Sequence, residues 1–283
     1  MAGPPILVGV DGSAPSLDAV DLAIREAALR DRAVRLVFGD TWADHPAWAG
    51  NDPAADLAAG LLSEPQQAIR DASDRAAAAQ VPVTGEILAG DPATVLIRES
   101  AHTDLLVLGH RGRGGFAELL LGSVAIKVSA HAACPVMITR GAAPDNGDVL
   151  VGVDGSPSDD APLGFAFHEA ALHGAAVRAL HAWDRPHLSN PALLLQYETG
   201  PESAAHAQLL TDAVQGWSRK YPNVTLHREL TTGRPADALV DASRHAQLVV
   251  LGARGHAQLP GRRLGSVSHT VLHHTACPVA IVR

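Results

Sequence analysis

The chain has 283 residues, 47% of them hydrophobic and only 4% aromatic, with a formal net charge of −8. That length suggests two domains at roughly 100–200 residues each, with cores built from aliphatic side chains and alanine. The acidic balance argues against a general nucleic-acid binder, which carries a basic face, although a helix terminus can still attract an anion inside an acidic protein.

The N-terminal stretch MAGPPILVGV has no basic segment ahead of a long apolar run, so no secretory signal is expected. The first strand is expected in ILVGV, a continuous apolar run of the kind buried on both faces of a parallel sheet. An amphipathic helix is predicted over residues 16–32, with Pro15 tolerated in its first turn. VRLVF reads as the second strand, and a polar loop near 43–53 leads into an alanine-rich helix ending near Gln80. VPVTGEIL is the third strand, PATVLIRESAH a short helix and DLLVLG the fourth strand. Residues 122–132 form another helix, and PVMITR closes the series as a strand. Strands alternating with helices of this length give βαβ units and a parallel sheet.

The same series then repeats. ILVGVDGS, which ends at Ser13, returns as VLVGVDGS, which ends at Ser156, an offset of 143 residues. Gly109 maps to Gly252, Gly122 to Gly265 and Arg140 to Arg283 at that offset. Over residues 102–140, 19 of 39 positions are identical to their partners, which chance cannot produce. The expected architecture is therefore two tandem doubly wound α/β domains, Rossmann-like and five-stranded, forming an internal pseudo-dimer. They occupy residues 1–140 and 149–283, with GAAPDNGD at 141–148 as linker, rich in loop formers. Cys134 and Cys277 lie in the same local text, ACPV, and read as small core residues rather than a disulfide. Two cysteines and no run of about 20 apolar residues place the chain in the cytoplasm, with no membrane span.

One spacing carries chemistry. Gly109, Gly112 and Gly122-Ser123 form G-x2-G-x9-G-S, and Gly252, Gly255 and Gly265-Ser266 repeat it. The pattern begins at the end of the fourth strand and ends where a helix opens. Ligands of open parallel sheets bind beyond the carboxyl ends of the strands, where strand order reverses. Asp11 and Asp154 end the first strand of each copy at that edge. Helix N-termini present unpaired N–H groups and about half a positive charge, so they hold phosphate. Glycine admits close backbone approach and positive φ. Ser123 and Ser266 are expected to cap the helix or bond a phosphate oxygen, and Arg111 and Arg254 to screen a polyphosphate. The loop lacks the Gly-Lys-Ser/Thr of a Walker A motif, and no dinucleotide fingerprint follows strand one.

These features resemble the universal stress proteins in their tandem-domain form. The VGVDGS start, the glycine loop and the CPV final strand carry the resemblance, which covers essentially the whole chain. It implies ATP as ligand, one per domain, with Asp11 and Asp154 at the ribose and adenine end. Gly109, Gly112, Gly122, Ser123 and Val124 would then hold ribose and phosphates, as would Gly252, Gly255, Gly265, Ser266 and Val267. The adenine would also lean on the end of strand two, where the copies differ. Gly39-Asp40 stands opposite Ala182-Trp183, and a shifted alignment would pair Trp42 with Trp183. The resemblance also implies a homodimer and a protein partner whose identity the chain does not state.

Catalysis finds little support. No G-x-S-x-G elbow is present, and His110 is replaced by Ala253 in the second copy. His269, His273 and His274 read as a solvated helix face. Asp11 and Asp154 could ligate Mg²⁺ brought by ATP, hard carboxylate oxygen suiting that ion, or merely form Asx turns. The main expectation is thus an ATP-binding regulator in a stress response, with weak ATPase activity at most. A slow ATP-hydrolysing or adenylating enzyme is the first alternative. The second is an interaction module that binds AMP, cyclic AMP or no nucleotide.

Overall fold

A computed structural model describes residues 3–41, 55–77, 79–113, 120–141, 144, 146–183, 200–255 and 264–283, with backbone alone for 55–62. Trp42 and the middle of each glycine loop lie outside these residues. The chain divides into two compact units, Met1–Thr139 and Arg140–Arg283.

Unit 1 alternates β1 (Ile6–Gly9), α1 (Ala14–Arg30), β2 (Val34–Asp40), α2 (Ala55–Ala77), β3 (Val83–Ala89), α3 (Pro92–Glu99), β4 (Leu105–Gly109), α4 (Ser123–His131) and β5 (Val136–Thr139). Its strands are all parallel, in the order β3-β2-β1-β4-β5. Ile6, Leu7 and Val8 of β1 are fully buried, as a strand covered by helices on both faces requires. α1 lays Ala19, Val20, Ala23 and Ala27 against the sheet, and these small side chains let the helix approach closely.

This helix starts two residues before its predicted position. Ser13 is its N-cap, with Oγ accepting the Ser16 N–H at 3.3 Å, and Pro15 falls in the first turn. It stops at Asp31, which adopts the left-handed conformation with φ of 52°.

Unit 2 repeats the scheme with β6 (Asp148–Gly152), α5 (Asp160–His173), β7 (Val177–Trp183), α6 (Pro201–Lys220), β8 (Leu226–Thr232), α7 (Pro235–Ala242), β9 (Ala246–Gly252), α8 (Ser266–His274) and β10 (Val279–Val282). The order is β10-β9-β6-β7-β8, again all parallel. Here a 3₁₀ turn over Pro157–Asp159 precedes α5, and Ser156 makes no side-chain cap. Asp159 bends its carboxylate back to the strand end instead.

One tether recurs in both units. Ser100 Oγ donates to the Ile97 carbonyl at 2.7 Å and accepts the Ala133 N–H at 2.8 Å, tying the end of α3 to the turn before β5. Ser243 does the same with Val240 and Ala276. Cys134 and Cys277 are free and buried nearby. Among the described residues, no helix is long and apolar enough to cross a membrane.

Candidate functional site

In unit 1 the chain runs outward from β1 through β2 to β3, then crosses back to β4 on the other side of β1. The strand order therefore reverses between β1 and β4, where a crevice opens beyond the carboxyl ends. Asp11 follows β1 and Gly109 ends β4, so both arrive at this crevice.

Asp11 ties its two walls together. Its Oδ1 accepts the Ser13 N–H at 3.0 Å and the Ser13 hydroxyl at 2.6 Å, an Asx turn that sets up the cap of α1. Its Oδ2 accepts the Arg113 N–H at 2.9 Å across 102 residues of sequence, which anchors the glycine loop. A carboxylate oxygen offers two lone pairs. Oδ1 is saturated, and one acceptor position remains on Oδ2.

The loop glycines have separate reasons. A Cβ on Gly109 would stand 2.6 Å from the Pro15 carbonyl, so β4 and α1 meet there only over a bare backbone. A Cβ on Gly112 would overlap Asp11 Oδ2. Gly122 is different: its Cβ would find nothing nearer than 3.5 Å, and its φ of −76° is open to any residue. None of the six motif glycines has positive φ, contrary to that part of the sequence expectation. Space, not backbone handedness, is what they supply.

Gly122 is also the N-cap of α4, and its N–H donates to the His110 carbonyl at 2.8 Å. Ser123 is the first helical residue and provides no cap, which corrects the expected capping role. Among the described residues, the first turn of α4 thus has no side-chain acceptor at its amides, and Gly122, Ser123, Val124 and Ala125 all line the crevice.

The crevice is a cavity of about 370 Å³. One end is the glycine loop, including Gly109, half-buried Arg111 and Gly112. The other is apolar, formed by Val37 and Gly39 of β2 with Pro92 and Leu96 of α3. Gly39 is required there because a Cβ would stand 2.6 Å from the Pro92 backbone. Sequence reasoning missed Val37, Pro92, Leu96 and Ser16 as lining residues. Their helix and strand periodicity marks them as core, and only packing brings them to the opening.

Unit 2 keeps the loop geometry. A Cβ on Gly255 would overlap Asp154 Oδ2, and Asp154 Oδ1 accepts the Ser156 N–H at 2.9 Å. Gly265 is the N-cap of α8, again without a side-chain cap, and its N–H donates to the Ala253 carbonyl at 2.8 Å. Ser266 is therefore also a first helical residue, not a cap. Gly252 and Val267 are half-buried, and Arg254 and Ser266 are exposed.

Three of the differences between the units fall at the strand ends and alter the chemistry there. Asp159 stands where unit 1 has Ser16, Ala182 where it has Gly39, and Trp183 where it has Asp40. Asp159 is only 8% exposed and accepts N–H bonds from Gly155 at 2.7 Å and Asp154 at 3.1 Å. Burial, reinforced by the charge of Asp154, pushes its carboxyl up to about 6. Trp183 stacks on His206 at 4.8 Å between ring centres, and His206 meets His181 Nε2 at 2.9 Å. Burial, then the neighbouring His181, holds His206 below the usual imidazole range.

The histidines of α8 depart from the expected solvated face. His269 is exposed, but His273 is half-buried with its Nε2 enclosed. Desolvation first, and the neighbouring His269 next, lower its pKa.

Comparison with known proteins follows the repeat. The sequence model described as the Universal stress protein family matches residues 4–140 and again 146–283. A universal stress protein of Mycobacterium tuberculosis is 34% identical over 301 residues, covering 98% of this chain and 94% of that protein. Another, from Mycolicibacterium smegmatis, is 35% identical over 300 residues, covering 98% and 96%. Among solved structures, a universal stress protein from Archaeoglobus fulgidus gives a TM-score of 0.72 at 18% identity, covering 98% of this chain and 97% of that one. This last likeness is one of fold.

Proposed function

The chain belongs to the universal stress protein family, and we propose that this member is a nucleotide-binding regulator of a stress response, with one site per unit and ATP as ligand. The observation that carries the reading is the two-ended cavity of unit 1. Its volume of about 370 Å³ falls within the range of small-molecule sites. Val37, Pro92 and Leu96 offer a flat base an apolar wall, while the uncapped amides of α4 offer phosphate oxygens donors in the field of the helix dipole.

In this reading each loop residue has a role. The backbones of Gly109, Gly112 and Gly122, with Ser123 and Val124, would bracket the phosphates and ribose, and Arg111 would screen their charge. Gly252, Gly255, Gly265, Ser266, Val267 and Arg254 would serve unit 2. Asp11 has one acceptor position left, enough for a ribose hydroxyl or one bond to a cation but not for a bidentate clasp. Magnesium, hard and slow to shed water, would therefore arrive on the phosphates, with Asp11 as a single ligand at most and Asp154 in the equivalent place of unit 2. Each charge-assisted hydrogen bond contributes about 1.5–3 kcal/mol, so a few matter against the ~8 kcal/mol of a micromolar complex.

The test is direct. Purified protein is denatured in acid, the released nucleotide is identified by chromatography and mass spectrometry, and fresh protein is titrated with ATP by calorimetry. Adenine nucleotide in the extract and saturable heat support the proposal. Empty extracts with no heat from ATP, AMP or cyclic AMP would leave the glycines serving the fold alone.

A further inference from the structure

We infer, resting on the nucleotide reading of unit 1, that Arg113 reads the outer phosphates of ATP there, and that Glu64 on α2 is the resting partner a triphosphate must displace. Arg113 lines two hollows at once. One is the two-ended cavity, and the other a smaller cleft that reaches from Gly12 to α2, with Glu64, Gln67 and Ala68 in its wall.

The backbone of Arg113 is held while its side chain is loosely placed. Its N–H donates to Asp11 Oδ2 at 2.9 Å, which keeps the residue at the cavity. Its guanidinium lies beside Gly12, with Cζ 3.6 Å from where a Cβ on that glycine would stand. It ends on α2, where Nη1 meets Glu64 Oε2 at 3.3 Å. The two side chains are 52% and 61% exposed. At the repeat offset Arg113 corresponds to His256, and Leu209 approaches Gly155 where Ala68 approaches Gly12. This arginine is thus a feature of unit 1.

Magnitudes decide which partner wins. An ion pair so exposed shifts an equilibrium by about fivefold at most. A guanidinium on a phosphate makes a charge-assisted and often two-pronged bond, worth roughly tenfold to a hundredfold. With the base on the apolar wall and the first phosphate at the α4 amides, further phosphates extend along the glycine loop, where Arg113 follows Gly112. ATP therefore takes the arginine from Glu64, and the lost pair is subtracted from its affinity. AMP ends at the first phosphate and leaves the pair in place.

The full chain is titrated by calorimetry with ATP and with AMP as wild type, Arg113→Met, Glu64→Gln and the double variant. Each titration is run at about 0.15 M and about 0.5 M salt; at the higher value the screening length is roughly 4 Å, so an effect that survives comes from contact. Arg113→Met is expected to lower ATP affinity at one class of site at least about tenfold, while AMP changes less than about threefold. Glu64→Gln raises ATP affinity there by up to about fivefold, and the gain disappears when residue 113 is already Met. Diffuse repulsion by Glu64 would give the same gain in both backgrounds. Thermal melts check that the variants fold. Arg113→Lys keeps the charge without the planar fork, gives an intermediate ATP affinity and decides the matter should Arg113→Met fail to fold. No loss for ATP, equal losses for ATP and AMP, a loss that vanishes at high salt, or a Glu64→Gln gain that is absent or independent of Arg113 overturns the inference while leaving nucleotide binding intact. No heat from either nucleotide in the wild type overturns both.

Discussion

Replacing Gly122 with alanine separates binding from folding in unit 1. The added Cβ meets Arg111 Cα and the His110 carbonyl oxygen at 3.5 Å, ordinary van der Waals contact, and the backbone already sits in a region alanine accepts. The stability penalty is that of exchanging a glycine N-cap for an alanine, about 1 kcal/mol or less. A change of that size moves the midpoint of a thermal melt by only a few degrees. Gly122 lines the cavity beside the α4 amides, so the added methyl group is expected to crowd a ligand held there. Losing one or two charge-assisted hydrogen bonds of about 1.5–3 kcal/mol each weakens binding from roughly tenfold to about ten-thousandfold. Calorimetric titration of the full chain with ATP, beside a thermal melt, reads both quantities. The unit 1 site is expected to weaken at least about tenfold in the isotherm while the melt stays nearly in place. An unchanged isotherm would refute the assignment of these amides to phosphate, since the added methyl group meets only ordinary contacts among the described residues.

Other outcomes follow from the same contacts. Arg35 reaches Glu86 on β3 at 2.7 Å and Glu99 on α3 at 2.8 Å, and these bonds hold both carboxyls below the usual carboxylate range. Depressed folded-state values add stability above the unfolded carboxylate pKa and lose it as pH falls through the folded one. Because Glu86 is 42% exposed, Arg35→Met is expected to cost only about 1 kcal/mol near pH 7, the gap to wild type closing below about pH 4 in urea titrations. Ser243→Ala leaves the Ala276 N–H without its acceptor and is expected to destabilise unit 2 by about 1–3 kcal/mol, measured by denaturant unfolding. The thiols of Cys134 and Cys277 are buried and their pKa values raised by desolvation, that of Cys277 to about 11. Neither should react with a disulfide reagent near pH 8 in the native protein, and both should react once it is unfolded.

The sequence by itself determined the organisation. The 143-residue offset, the alternation of apolar runs with amphipathic helices and the repeated glycine spacing are all one-dimensional signals, readable because period and identity survive without a fold. They placed Asp11 and the glycine loop at one edge through the topology of parallel sheets alone. Helix starts were less legible, since Ser13 and Gly122 act as caps through backbone geometry that composition only hints at. Tertiary structure decided the rest. Gly109 is bare because α1 passes over it, and Gly112 because Asp11 reaches across 102 residues to the loop. The apolar wall gathers Val37, Pro92 and Leu96 from β2 and α3. Asp159 appears in sequence as one more acidic residue before a helix. Only its burial against the amides of Asp154 and Gly155 gives that charge a place. Such contacts join residues distant in the chain or turn on the direction of a side chain, and packing fixes both.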